Sequence, residues 1–288
     1  MEKLYTSVSE STKKLYLHNL KKLNGEPPTS LKFLKNTDDI LEKLEVLKPN
    51  TRKSYLIAIV KALKDVGGKP NMALYDVYYP FLEKLNKDGQ DNSKMTGGEQ
   101  LNWVKEDEIE EQTKLFEDFL NNIKSKRKIT DEQIKLLQDY IIFSLYTKTI
   151  PRRATDYTRM VVGPPTEDKS VNYYHKGVFY FNNYKTQGTY GTQTINVPLA
   201  LDNLLKLWLK YKSKESPYLL LNNNKPFSQS SYITKILNTI FGRKVSVNML
   251  RKYYATETHS AEQKKLQETA QAMGNSPATL KNHYIKTE

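Results

Sequence analysis

The sequence predicts a mainly α protein of the α+β kind. An all-helical domain spans residues 1–87, a linker 88–104, and an α-rich domain with a small antiparallel sheet 105–288. Three observations predict it. Apolar residues recur at helical spacing through most of the chain. The polar, glycine-bearing stretch NKDGQDNSKMTGGEQ, residues 86–100, interrupts that spacing and reads as linker. Two β-prone runs, VFYFNNY and TQTINVP, lie close together, and the KTQGTYG between them has glycines that suit a hairpin turn.

The elements follow in order. Ser9-Glu10-Ser11-Thr12 caps a helix carrying Leu15, Leu20 and Leu23. Thr37-Asp38-Asp39 opens another, with Ile40, Leu41, Leu44 and Leu47. Asn50-Thr51 opens a third, with Leu56, Ile59, Leu63 and Val66 on one face, closed by Gly67-Gly68. Pro70 starts a fourth, with Leu74, Val77, Phe81 and Leu85. Past Trp103, residues 106–124 form a helix with Ile109, Leu115, Phe116, Phe119 and Leu120. Thr130-x-x-Gln133 is a capping box ahead of Ile134, Leu137, Ile141 and Leu145. After the strands come helices at 200–214, 229–241, 246–258 and 261–273, and a last one begun by Ser276-Pro277.

Composition narrows the function. No apolar run among the 288 residues approaches the ~18 needed to cross a bilayer. The opening MEKLYTSVSESTKK lacks the apolar core of a signal peptide. The absence of cysteine excludes disulfides and thiolate metal sites and fits an intracellular protein. Lys+Arg 45 against Asp+Glu 32 leaves +13, which favours a polyanionic partner through counterion release. Nucleic acid leads. A lysine-rich proteome is the other source of such a charge, and no basic amphipathic anchor points to a membrane.

The common phosphate-cradling, dinucleotide and zinc motifs are missing, and His18, His175, His259 and His283 lack metal-ligand spacing. What remains is a set of basic groups and one phenol. Arg152 and Arg153 follow Pro151 at a predicted helix start, a place suited to anions. Lys185 ends a strand on the hairpin. Asn248 and Arg251, three apart, share a helix face. Asn275 precedes the helix that carries Tyr284. Each has a plain structural role open to it. Arg153 can pair with Asp156, Lys185 can be solvated, either asparagine can serve its own backbone, and Tyr284 can pack.

The ordered series says more. RATDYTRM, NYKTQGTYG, NMLRKYYATE and MGNSPATLKNHYIK resemble, in that order, the arginine box, hairpin lysine, His-x-x-Arg run and Gly-His…Tyr run of the tyrosine recombinases, the phage-integrase family. The likeness spans about residues 105–288, with residues 1–87 similar in size and class to the family's core-binding, DNA-clamping domain. It selects Arg153, with the acidic Asp156 three on, over Arg152, which stays as the alternative first arginine. Asn248 and Asn275 stand where the family has histidines.

The resemblance implies a catalytic set of Arg153, Lys185, Asn248, Arg251, Asn275 and the nucleophile Tyr284. It implies duplex DNA as substrate, a 3′-phosphotyrosine intermediate, self-association into a tetramer on DNA, and no metal, ATP or other cofactor. It points to a mobile element or DNA virus. Asparagine donates a hydrogen bond but cannot shuttle a proton, so Asn248 cannot be a general base. Three alternatives stay open: a type IB topoisomerase-like relaxer with the same chemistry, a DNA-binding protein that no longer cleaves, and a helical scaffold made basic by genome bias.

Overall fold

The structure, a computed structural model, describes residues 4–89 and 95–286. The chain forms two compact units, Met1–Met95 and Thr96–Glu288. Part of the predicted linker, residues 90–94, lies outside the described residues.

The first unit is helical: α1 Glu10–Asn24, a 3₁₀ turn Lys32–Lys35, α2 Thr37–Glu45, α3 Pro49–Val66 and α4 Lys69–Asp88. Ser9 caps α1, its hydroxyl accepting from the Thr12 N–H. Gly67 and Gly68, both at positive φ, turn the chain between α3 and α4. Leu20, Leu23, Ile40, Leu44, Leu56, Ile59 and Leu63 are buried as their spacing predicts. α4 departs from expectation. Val77 and Phe81 are exposed, and Tyr78 and Leu82 are buried instead. The helix has two apolar stripes, and the inward one is fixed by the Tyr78 hydroxyl, which donates to the buried Leu34 carbonyl at 2.7 Å.

The second unit runs α5 Gly97–Asn102, α6 Glu106–Ile123, α7 Asp131–Thr147, α8 Thr155–Thr158, β1 Val161–Val162, β2 Tyr173–His175 and β3 Val178–Phe181. There follow α9 Gln187–Tyr190, β4 Gln193–Asn196, α10 Leu199–Tyr211, α11 Ser231–Phe241, α12 Val247–Ala272 and α13 Pro277–Thr279, then a π-helical turn Leu280–Tyr284. α7 is its axis. Its continuous run Tyr140–Tyr146 is buried, as a helix apolar on most sides must be, and α6, α10, α11 and α12 pack around it. The Thr130–Gln133 capping box starts α7: the Gln133 N–H donates to the Thr130 hydroxyl at 3.3 Å. α5 lies inside the segment predicted as linker. It is joined to α12 by the Glu99–Lys252 ion pair, with the Trp103 ring 6.5 Å from that of Tyr253.

The mainly α class with a small sheet is what the structure shows, but the sheet is mixed rather than antiparallel. Its order is β1-β2-β3-β4, with β1 parallel to β2 and the other pairs antiparallel. β1 and β2 are too short to show a period-2 pattern. The predicted hairpin turn over 185–191 is a longer loop, residues 182–192, because β3 ends at Phe181 and not at Lys185; in it Gln187–Tyr190 turns as α9 and the Tyr184 hydroxyl donates to the Gly191 carbonyl at 2.7 Å. Phe179 and Phe181 face inward from β3 and meet the α8 ring Tyr157, each 5.8 Å away. The sheet is thereby packed against the segment that carries the arginines.

A second correction concerns the carboxy-terminal helices. The two predicted at 246–258 and 261–273 are one continuous helix, α12. Nothing between Thr256 and Thr269 breaks a helix: the stretch has no glycine or proline, and Lys264–Glu268 pairs at i,i+4. Among the described residues no helix is long and apolar enough to cross a membrane.

Candidate functional site

Arg152 and Arg153 do not open a helix. Pro151, Arg152 and Arg153 are non-helical, and α8 begins at Thr155 for a single turn. The two arginines face different surroundings. The Arg152 guanidinium is enclosed: its Nε is 3.1 Å from Asp156 Oδ2, and an Nη donates to Gln193 Oε1 at 2.7 Å. It also stacks on the rings of Phe181 at 3.9 Å and Tyr184 at 4.8 Å. Arg153 is half-buried and, among the described residues, its guanidinium has no hydrogen-bond partner. Its charge acts on the Asp156 carboxyl.

Asp156 is therefore the partner of Arg152, at i,i+4, rather than of Arg153. Burial lifts its carboxyl above the ordinary range, and the two arginines oppose that rise. An enclosed arginine is spent on holding structure. An arginine with idle N–H donors beside it is the one suited to an incoming anion.

Arg251 comes from the first turns of α12, where Val247, Met249 and Leu250 bury the helix against the core. Ser246 caps this end, its hydroxyl accepting from the Met249 N–H at 3.2 Å. The Arg251 Nε donates to the Pro151 carbonyl at 3.3 Å, which brings it to the chain segment of Arg153 from a hundred residues away. Asn248 is exposed one turn earlier, its Oδ1 3.5 Å from an Arg251 Nη. With Oδ1 turned to the guanidinium, the Asn248 amide N–H groups are left as donors.

Lys185 is exposed on the β3–β4 loop, without a hydrogen-bond or ion-pair partner among the described residues. Its neighbour Tyr184 is buried and stacks on Arg152, so the loop and the arginine segment are fastened together one residue from each of Lys185 and Arg153.

Sequence reasoning missed several residues here. Gln193 and Tyr184 hold Arg152, and Asn172 ties α8 to the loop. Tyr146 is buried with no partner for its hydroxyl among the described residues. Burial pushes that phenol well up, and the charges of Asp156 and Arg251 both bear on it. A tyrosine inside the apolar α7 run was the only sequence signal for it.

The other end of α12 is different. Ala255 to Thr269 is exposed except for the half-buried Leu266, a polar helix standing off the core. Gly274 at positive φ ends it, and the Asn275 N–H closes back on the Ala270 carbonyl at 2.8 Å. The Asn275 side chain donates to the Met273 carbonyl at 3.1 Å, so it shapes this turn. Ala270 and Leu280 are buried at the tip, and Tyr284 is 55% exposed, its hydroxyl without a hydrogen-bond partner among the described residues. Arg251 to Ala272 spans about 30 Å of helix at ~1.5 Å per residue. The structure thus gathers Arg152, Arg153, Asp156, Arg251 and Asn248, with Lys185 on the adjoining loop, and leaves Asn275 and Tyr284 on the projecting tip. No family model matches the chain, and no curated protein matches its sequence.

Proposed function

We propose that the protein is a DNA strand-cleaving and rejoining enzyme of the tyrosine-recombinase kind, working on duplex DNA as an assembly of copies. The observation that carries this reading is the Arg251–Pro151 hydrogen bond. It joins the two arginine-bearing segments that the ordered motifs pair, across a separation that composition does not predict.

In this reading Arg153 and Arg251 bind the non-bridging oxygens of one phosphodiester. Their guanidinium forks stabilise the charge that builds at phosphorus in the pentacoordinate state. The Tyr284 oxygen attacks, the new P–O bond forms, and the P–O5′ bond breaks. Lys185 gives the leaving 5′ oxygen its proton. Asn248 donates a hydrogen bond to a phosphate oxygen, and the phenol proton passes to solvent because no basic side chain stands in that place. A 5′-hydroxyl from another strand then reverses the step and frees Tyr284.

The phenol reaches the arginines from a second copy. The continuous α12 carries Tyr284 away from its own Arg251 and presents it, with the exposed Met273 and Ile285, at the tip of a polar arm. A relaxer acting as a single copy needs its tyrosine against its own arginines, which this arm does not deliver. The same arm favours a second reading, a DNA-binding protein that does not cleave.

Nicked duplexes from a random-sequence pool, in which the cleaved end diffuses away, separate these readings. After denaturation the native chain is expected to carry covalently attached DNA and Tyr284→Phe none. Arg153→Ala and Arg251→Ala are expected to slow adduct formation by about 100-fold or more. Salt-sensitive DNA binding with no adduct from the native chain would establish the non-cleaving reading instead.

A further inference from the structure

Asn172, just before β2, is buried at 5% exposure. A side-chain amide offers two N–H donors and an oxygen with two lone pairs, and all four are used here. Its Nδ2 donates to the main-chain carbonyls of Asp156 at 2.8 Å and Asn183 at 3.0 Å. Its Oδ1 accepts from the main-chain N–H groups of Asn182 at 2.9 Å and Asn183 at 2.8 Å. Every partner is backbone, so this one side chain fixes the spacing of two segments whatever side chains they carry. One segment is α8, just after Arg153. The other is the root of the loop, two residues before Lys185.

The root is fastened further. The Asn182 and Asn183 side chains donate to the carbonyls of Val171 and Ser170 at 3.0 and 2.7 Å. Arg152 braces the same root by stacking on Phe181 and Tyr184. Lys185, the next residue, is the opposite: it is exposed and its ammonium is unpartnered among the described residues. Burial of a polar network adds little net stability, since each bond replaces one to water. When every member is satisfied it specifies one geometry.

We propose that Asn172 is a positioning residue, its amide holding the Lys185 loop in register with Arg153 so that the ammonium meets the leaving 5′ oxygen. This rests on the strand-cleavage reading above. The P–O5′ bond breaks as the P–O bond to tyrosine forms, and the proton moves from Lys185 Nζ to O5′. A sulfur in the bridging 5′ position leaves as a thiolate and needs no proton.

That difference supplies the test. Adduct formation is timed on nicked duplexes with bridging 5′ oxygen or bridging 5′ sulfur, for the native chain, Lys185→Ala, Asn172→Ala and Asn172→Asp. On the oxygen substrate Lys185→Ala is expected to lose about 100-fold or more and Asn172→Ala about 10- to 100-fold. On the sulfur substrate both return to within about threefold of native. Asn172→Asp keeps the acceptor oxygen but sets a second carboxylate oxygen against the Asp156 and Asn183 carbonyls, so it is expected to lose at least as much as Asn172→Ala on the oxygen substrate, with the same sulfur rescue.

Equal losses on both substrates, or no loss from either Asn172 variant on the oxygen substrate, overturn the proposal. Failure of sulfur to rescue Lys185→Ala overturns it through the lysine while leaving tyrosine cleavage standing. Failure of the native chain to form an adduct with either substrate overturns the strand-cleavage reading itself, and the proposal with it.

Discussion

The Arg251 Nε donates to the main-chain carbonyl of Pro151 at 3.3 Å, across a hundred residues of sequence. One bond fixes where the α12 guanidinium lies against the Arg152–Arg153 segment. Because the acceptor is a carbonyl, part of the Arg251 fork is occupied while its remaining N–H groups are left for an anion.

Arg152 and Arg153 are expected to separate stability from activity. Arg152→Ala leaves the Asp156 carboxyl buried without its ion-pair partner and removes the brace under Phe181 and Tyr184, costing about 3 kcal/mol. Arg153→Ala removes no hydrogen bond among the described residues and costs less than about 1 kcal/mol while slowing adduct formation by about 100-fold or more. Urea unfolding of both variants beside the adduct assay checks this. A stable, inactive Arg152→Ala with an active Arg153→Ala would exchange their roles.

The reach of α12 sets the second prediction. Tyr284→Phe lacks the nucleophile and Arg251→Ala lacks the fork, so alone the first forms no adduct and the second forms it about 100-fold or more slowly. A mixture restores cleavage if Tyr284 enters the site of another copy, and that is the expected result. A mixture as inactive as its components, beside an active native chain, would mean that α12 bends to bring Tyr284 to its own arginines.

Asp139, on α7, gives a pH-dependent prediction. Its side chain is 13% exposed, its Oδ1 is buried without a hydrogen-bond partner among the described residues, and the Lys135 ammonium is 4.0 Å from Oδ2. Burial pushes its carboxyl up to about 6, with Lys135 opposing. A folded value above the unfolded one means that the native state holds the proton more tightly. Its contribution is fully present below about pH 4 and is lost as pH rises through about 6. Asp139→Asn should therefore be more stable than native at pH 7 by up to about 3 kcal/mol, two units at ~1.4 kcal/mol each. That advantage should vanish near pH 4, and one that persists unchanged there would refute the assignment.

Much of this was legible in the sequence because it rests on local chemistry. Ser9 and the Thr130–Gln133 box mark helix starts, Gly67-Gly68 marks a turn, and the apolar spacing of α3 and α7 marks the core. What was hidden depends on distant partners. The inward face of α4 is chosen by the Leu34 carbonyl, which no pattern in α4 reports. Asn172 is one of many asparagines, and its four partners are main-chain groups that leave no mark on side-chain identity. The continuity of α12 follows from what 256–269 lacks, and helical periodicity shows poorly in a stretch that is polar all round.

The most direct measurement is to find the residue that carries DNA after cleavage. The denatured adduct is digested with protease and nuclease, and the modified peptide is sequenced by mass spectrometry. The account predicts a nucleotide 3′-phosphate on the hydroxyl of Tyr284, one of the chain's 20 tyrosines. A nucleotide on any other tyrosine, or on a serine, lysine or histidine, would contradict it.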